Sequence, residues 1–246
     1  MNRRTFLLLS AVAPLMAKDF VTIKDEVYLN TTDMRVLRSL NNRLKRVINH
    51  IGYGHFNYLS FDDMLFYARN YSSIGRFSKS EMNLIEKLFY SDPNEYGFYG
   101  QKTIHKITHK IEKKDIVKVP YSGHYLFKGK PIQDYNNIIK DVNRDLILTS
   151  GIRSVVKQLS LYVAKIDYCN GNISKASRSI APPSYSYHTI CDFDVGKKGW
   201  GHKNFTSAFS KTKEYKAIRK LDYVGIRYFV NNKDGVRFEP WHIKVS

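Results

Sequence analysis

The sequence predicts an α+β protein, a mainly helical first part followed by an antiparallel sheet with flanking helices. Three observations carry this. Apolar residues recur at helical spacing through residues 32–51 and again in two later runs, each with a serine or threonine ahead of it. From about residue 115 the pattern shortens to runs such as Ile116-Val-Lys-Val119 and Tyr125-Leu-Phe127, which have the length and texture of strands. Near the C-terminus two further runs flank Asn231-Asn-Lys-Asp-Gly235, a hairpin signal.

In chain order, Val36-Leu37, Leu40, Leu44, Val47-Ile48 and Ile51 mark a helix capped by Thr32 and stopped by Gly52. A second helix starts at Ser60 and carries Met64, Leu65 and Ala68; a third follows Ser78, whose Glu81 completes a capping box. Asp92-Pro-Asn-Glu is a turn, and a fourth, basic helix is read over Gln101–Ile111. Beyond the two strands at 116–127, Ile132–Val142 reads as helix, Leu146–Thr149 as strand and Val155–Ile166 as helix. Short helices over Ser174–Ile180 and Thr212–Leu221 precede strands at Val224–Val230 and Val236–Val245. The chain divides into residues 1–17, 18–115 and 116–246.

Composition narrows function. A formal charge of +18 calls for an anionic setting, for which nucleic acid, anionic lipid and cell-wall polymer qualify. Basic residues cluster at Lys102–Lys114 and Lys197–Lys220, but the aromatic-basic signature of a nucleic-acid module is missing, so nucleic acid is not an expected partner. Asn2-Arg3-Arg4, the apolar run Thr5–Met16 and small Ala17 read as a signal peptide, and Arg3-Arg4-Thr5-Phe6-Leu7 resembles a twin-arginine signal. The expected location is therefore exported, periplasmic or wall-associated, without stable membrane insertion after cleavage. Cys169 and Cys191 allow one disulfide at most and exclude a Cys-rich structural zinc site.

Chemistry concentrates in Ser184-Tyr-Ser-Tyr-His188-Thr-Ile-Cys-Asp192-Phe-Asp194 and in Glu239-Pro-Trp-His242. Two imidazoles, a choice of carboxylate and a further Glu are the inventory of a catalytic zinc site, with three ligands, an open position and a base. Side chains from His188 and Asp194 reach one metal only if the chain turns within Thr189–Cys191, because six extended residues span roughly 20 Å. Asp192 and Asp194 then share a strand face, one as ligand and the other as its support. Glu239 and His242 fall on opposite faces of a regular strand, and Pro240 makes an irregular one credible. His105 and His109 lie four apart, but Lys106 stands where a metalloprotease needs Glu, so they read as a solvated basic face. His50, His55, His124 and His202 read as structural, and Trp241 as core.

Ser186-Tyr-His188…Asp194 followed by Glu239-Pro-Trp-His242 resembles the VanY-type zinc D-Ala-D-Ala carboxypeptidases, the LAS group, which shares its fold with hedgehog signalling domains. That group carries S-x-H-x-x-G-x-A-x-D and E-x-W-H, and Ser150-Gly-Ile-Arg153-Ser154…Gln158 is similar to its S-G-Y-R-S…Q segment. The resemblance covers about residues 146–246 and implies a hedgehog/DD-peptidase-like C-terminal domain binding one zinc ion. It also implies an exported metallopeptidase acting on peptidoglycan stem peptides, foremost a D-alanyl-D-alanine carboxypeptidase. A cross-link endopeptidase and a non-catalytic wall-binding domain are the alternatives. Carried over, His188, Asp194 and His242 are the metal ligands, Glu239 is the general base, and Arg153 binds or polarises the substrate. Ser186 and Gln158 become substrate-contacting residues or supports behind those that are, and Ser150 a substrate-binding one. Two departures stand out: the His-to-Asp spacing is six rather than seven, and Cys191 and Asp192 replace the family's Gly and Ala. The Asp followed by an aliphatic residue is aligned, which selects Asp194 and leaves Asp192 as its rival.

Overall fold

Helix α1 (Thr31–Ile51) forms where the apolar spacing places it, starting two residues earlier than a Thr32 cap would allow because Asn30 accepts the Asp33 amide as N-cap. The computed structural model describes residues 21–245 apart from 24, 143 and 144, so the signal segment 1–17 lies outside the described residues. Strands β1 (Val21–Ile23) and β2 (Glu26–Tyr28) pair ahead of α1. A single turn, α2 (Tyr53–Phe56), leads to α3 (Phe61–Asn70), capped by Ser60, and α4 (Lys79–Tyr90), closed by the Ser78–Glu81 capping box. The hairpin β3 (Ile116–Lys118) and β4 (Tyr125–Phe127) follows, then α5 (Lys130–Val142). Strand β5 (Leu146–Ser150) runs into α6 (Val155–Tyr168), and α7 (Ile173–Ser177) closes this part. The remaining elements are β6 (Phe193–Lys197), α8 (Lys213–Ile218), β7 (Gly225–Tyr228) and β8 (Glu239–Lys244).

Two cores hold these elements. The larger gathers Leu37, Leu40, Leu44 and Val47 of α1 with α3, α4 and the inward face of α6, including Val156, Leu159 and Val163. It therefore joins residues on both sides of position 115, with α6 as the shared helix. The smaller lies under the main sheet and packs Leu148, Phe193, Val195, Ile226, Trp241 and Ile243 against Ile138 of α5 and Ile218 of α8. That sheet is antiparallel in the order β5-β6-β8-β7. The fold is thus α+β with a helical N-terminal region.

Two readings of the sequence are corrected. Residues 101–111 form no helix although Ile104, Ile107 and Ile111 are buried at helical spacing. The segment is rich in β-branched residues, which resist helix formation, and the amides of Thr103 and Ile104 both donate to the Ser184 carbonyl, at 2.9 and 3.2 Å. The C-terminal hairpin is also shorter than its apolar runs. Its connection is an ordered loop in which Asn232 bridges Phe229 and Val236, and the Tyr99 amide donates to Asp234. Gly235 sits at φ +72° where a Cβ would lie 2.1 Å from the Gly97 carbonyl oxygen, so the loop packs on the helical region instead of extending the strands.

Candidate metal centre and active site

The middle of the sheet sets the site. Register places Asp194 of β6 directly opposite His242 of β8 on one side and Ser150 of β5 on the other. Both alignments depend on irregular pairing. Between Leu148↔Val195 and Ser150↔Asp194, β5 advances two residues and β6 one, a bulge at Thr149. Between Ile226↔Ile243 and Tyr228↔Glu239, β7 advances two residues and β8 four. The extra residues cancel the alternation of a regular strand and bring Glu239 and His242 to one side, with Glu239 Oε2 3.5 Å from His242 Nδ1.

His188 arrives from a 3-10 turn, Tyr187–Thr189. The chain turns where the spacing required it: the amides of Ile190, Cys191 and Asp192 all donate to the Tyr187 carbonyl, at 3.0–3.1 Å. His188 Nδ1 lies 2.9 Å from the Gly151 carbonyl oxygen, and its own carbonyl accepts from the Arg153 amide at 3.2 Å. Gly151 is obligatory here, because a Cβ would fall 2.0 Å from the Tyr125 carbonyl oxygen. With Nδ1 occupied as donor, Nε2 points inward, 3.3 Å from Asp194 Oδ2.

His188, Asp194 and His242, all buried, each present a ligand atom within 4.8 Å of the others. His188 Nε2 and Asp194 Oδ1 are buried and find no hydrogen-bond partner among the described residues. Such orphans are costly unless a group bridges them, and two imidazoles with one carboxylate are the donor set of a catalytic zinc site. The residues fit the metal.

The two aspartates separate cleanly. Asp194 faces the metal position and is gripped by Arg153, whose Nη2 donates to Oδ2 at 2.7 Å. Asp192 lies behind His242: its Oδ2 is 3.1 Å from Nε2, it takes a two-pronged contact from Arg227 at 2.7 and 3.0 Å, and it accepts from the Val245 amide at 2.9 Å. Asp192 therefore fixes which His242 nitrogen turns inward, namely Nδ1, 3.6 Å from Asp194 Oδ1.

Protonation follows burial and charge. Burial, reinforced by Arg153, lowers His188 to about 4, so it is a neutral imidazole with a free lone pair. Burial would raise Asp194, but the Arg153 guanidinium donating to it holds its carboxyl well below the usual range. Burial opposes charge on His242 too, yet the bonds to Asp192 and Glu239 raise it to about 9. A cation bound there takes the place of that proton. Burial pushes Glu239 up, and the nearby Asp194 charge adds to it.

Over this group opens a cleft of about 340 Å³, lined by Ser150, Arg153, Ser186, His188, Asp194, Glu239 and His242 among others. Arg153 spans its floor, donating from Nε to Ser150 Oγ at 3.0 Å. Ser150 and Ser186 line the cleft as expected of substrate-binding residues. Gln158 does not. It is fully buried behind Arg153, its amide donating to the Ala181 carbonyl at 2.7 Å and its Oε1 facing Arg153 Nη1 at 3.5 Å, so it holds the arginine. His124, read from the sequence as structural, lines the cleft beside them. Arg227 escaped attention because it alternates with buried Ile226 and Tyr228, the pattern of a solvent-facing position. In fact its guanidinium lies 3.7 Å from the Tyr187 ring centre. Trp241 is buried in the lower core and also edges the cleft. Cys169 and Cys191 are not joined in a disulfide.

Fold and site together place two histidines and an aspartate, a donor set that could hold a metal ion, in an antiparallel sheet with a buried glutamate beside them. Residues 130–245, just under half of the chain, match the family described as VanY: D-alanyl-D-alanine carboxypeptidase. No curated protein matches the chain. Similar solved structures include two of VanY type. One is a variant of the vancomycin resistance D,D-pentapeptidase VanY from a VanB-type cassette in complex with Zn(II), at 18% identity over 52% of this chain and 76% of that one, TM-score 0.36. The other is VanYB in complex with D-alanine-D-alanine, at 21% identity over 55% and 77%, TM-score 0.42. At that distance neither transfers a residue role.

Proposed function

We propose that the protein is a zinc-dependent D-alanyl-D-alanine carboxypeptidase that trims the stem peptides of peptidoglycan. The observation that carries this is the convergence of His188 Nε2, Asp194 and His242 Nδ1 around orphaned buried atoms, in the part of the chain that matches the VanY family. His188, Asp194 and His242 would hold one zinc ion, which when bound supplies Lewis acidity and lowers the pKa of a coordinated water to about 7.

The chain's own residues do the rest. Glu239 is held 3.5 Å from His242 and 3.6 Å from the Arg237 guanidinium, at the edge of the cleft, where it can take a proton from the attacking water and pass it to the leaving amine. Arg153 spends N–H groups on Asp194, Ser150 and Gln158. Arg153 also lines the cleft, where its remaining donors can bind a peptide carbonyl as charge builds on its oxygen. Ser150 and Ser186 flank that position. The basic charge and the export-type start support action outside the cytoplasm, on an anionic wall.

The test uses the full chain and a short acyl-D-Ala-D-Ala peptide. Wild type should release D-alanine, lose activity to a chelator and regain it with zinc. Glu239→Ala should keep zinc and fold while turnover falls by about 10²–10⁴-fold. A wild-type protein that releases no D-alanine from the peptide or from purified sacculi sinks the carboxypeptidase reading. Scission within cross-links would move it to the endopeptidase reading.

A further inference from the structure

His124 stands at the end of the turn between β3 and β4, outside the part of the chain that matches the VanY family, yet it lines the same cleft as Arg153 and His188. Its Nδ1 is buried and finds no partner among the described residues. A buried ring nitrogen without a partner, on a residue that lines a cleft, marks a place where a ligand supplies the missing bond.

The hairpin that carries it is held with unusual care. Asn57, in the connection between α2 and α3 and 1% exposed, donates from Nδ2 to the Gly123 carbonyl at 3.1 Å and to those of Tyr53 and Gly54 at 3.0 Å. Its carbonyl accepts from the Ser154 amide at 2.8 Å, and its Oδ1 takes Lys157 Nζ. On the other side of His124, the Tyr125 carbonyl accepts from the Ile152 amide at 2.9 Å. Both chain neighbours of His124 are thus tied to the residues that flank Arg153. The helical region, through Asn57, fixes the distance between the imidazole and the guanidinium.

Charge indicates what the pair receives. The cleft carries the guanidinium groups of Arg153 and Arg237 against the carboxylates of Asp194 and Glu239, with Lys157 tied to Asn57 close by. A divalent ion leaves the cleft positive overall, which suits an anionic end of the substrate rather than a neutral backbone.

We propose that His124 donates a hydrogen bond from Nδ1 to the terminal carboxylate of the bound peptide, as a specificity-determining residue, and that Asn57 positions it. This rests on the peptidase reading above and deepens it, since a terminal carboxylate is what separates a carboxypeptidase substrate from a cross-link.

The experiment measures binding in zinc-loaded full chain carrying Glu239→Gln, by calorimetry. The ligands are a diacetyl-Lys-D-Ala-D-Ala peptide, whose only carboxylate is terminal, and its terminal carboxamide. With His124 present the acid should bind at least about tenfold tighter than the amide. His124→Ala and His124→Asn should each bring the acid close to the amide. Asn57→Ala should shrink the same ratio by less, whereas a merely structural asparagine would lower the melting temperature and leave the ratio alone. An acid-to-amide ratio unchanged in both His124 variants overturns the assignment of His124, and one unchanged in Asn57→Ala overturns the positioning role. If the Glu239→Gln protein with His124 intact binds neither peptide, the peptidase reading falls and takes this one with it. If it binds both alike, only the carboxylate contact falls.

Discussion

In the helical layer, α1 buries Leu37, Leu40, Leu44 and Val47, and its ends are closed by Asn30 and Gly52; at the centre of the sheet, the buried set is His188, Asp192, Asp194, Glu239 and His242. The first region follows local rules throughout. Propensity, periodicity and caps agree, and the buried face of α1 is apolar apart from Asn41, which donates to Asp167. The second breaks them: two bulged pairings, a glycine packed against a carbonyl, and buried charges paired with one another. The contrast teaches where stability and chemistry reside. Regular packing lets one face of α6 anchor the helical core, while the turn before it delivers Arg153 to the cleft.

Substitutions sharpen that contrast, starting with the greatest expected loss. Asp194→Ala removes a metal ligand and leaves Arg153 and His188 without their buried partner. Zinc content should drop to background and turnover by more than about 10³-fold, with a further loss of about 3–5 kcal/mol in stability, read by metal analysis, D-alanine release and denaturant melts. Retained zinc in this variant would mean that Asp192, not Asp194, is the ligand. Leu44→Ala, deep in the helical core, should cost about 2–5 kcal/mol of stability yet leave kcat/KM of the folded protein within about twofold. A large change in kcat/KM well below the melting temperature would break the division of labour. Asp192→Asn should weaken zinc affinity by about 10–100-fold, because His242 loses the carboxylate that orients it, while Glu239 and Arg153 stay in place. Smallest of all, Ser78→Ala removes the cap of α4 and should cost about 1 kcal/mol with no effect on zinc or turnover.

Much of this was legible because the signals are local. Ser60, Ser78 and Ser154 cap the helices that their neighbours announce, and the turn after His188 follows from the distance that six residues must cover. Residues 101–111 misled because Ile104, Ile107 and Ile111 are buried at a helical period for another reason. They pack an irregular segment in which the Thr103 and Ile104 amides are taken by the Ser184 carbonyl and not by a helix ladder. Gln158 kept its place in the motif but turned its amide to Ala181. His124 was passed over because no carboxylate or second histidine stands near it in the chain.

The sequence by itself determined the residue types, the order of most helices and strands, and a candidate metal-site set of His188, Asp192 or Asp194, Glu239 and His242. Only the tertiary structure decided that Asp194 faces the metal position while Asp192 supports His242, since both lie on neighbouring stretches of one chain and differ in what packs against them. It also decided that Arg227 and His124 belong to the site. Their partners are 35 residues away at Asp192 and, through Asn57 and Gly123, 66 residues away. Spacing along a chain constrains only what lies within a few residues, whereas a cleft is made by whichever side chains the packing of separate elements brings together.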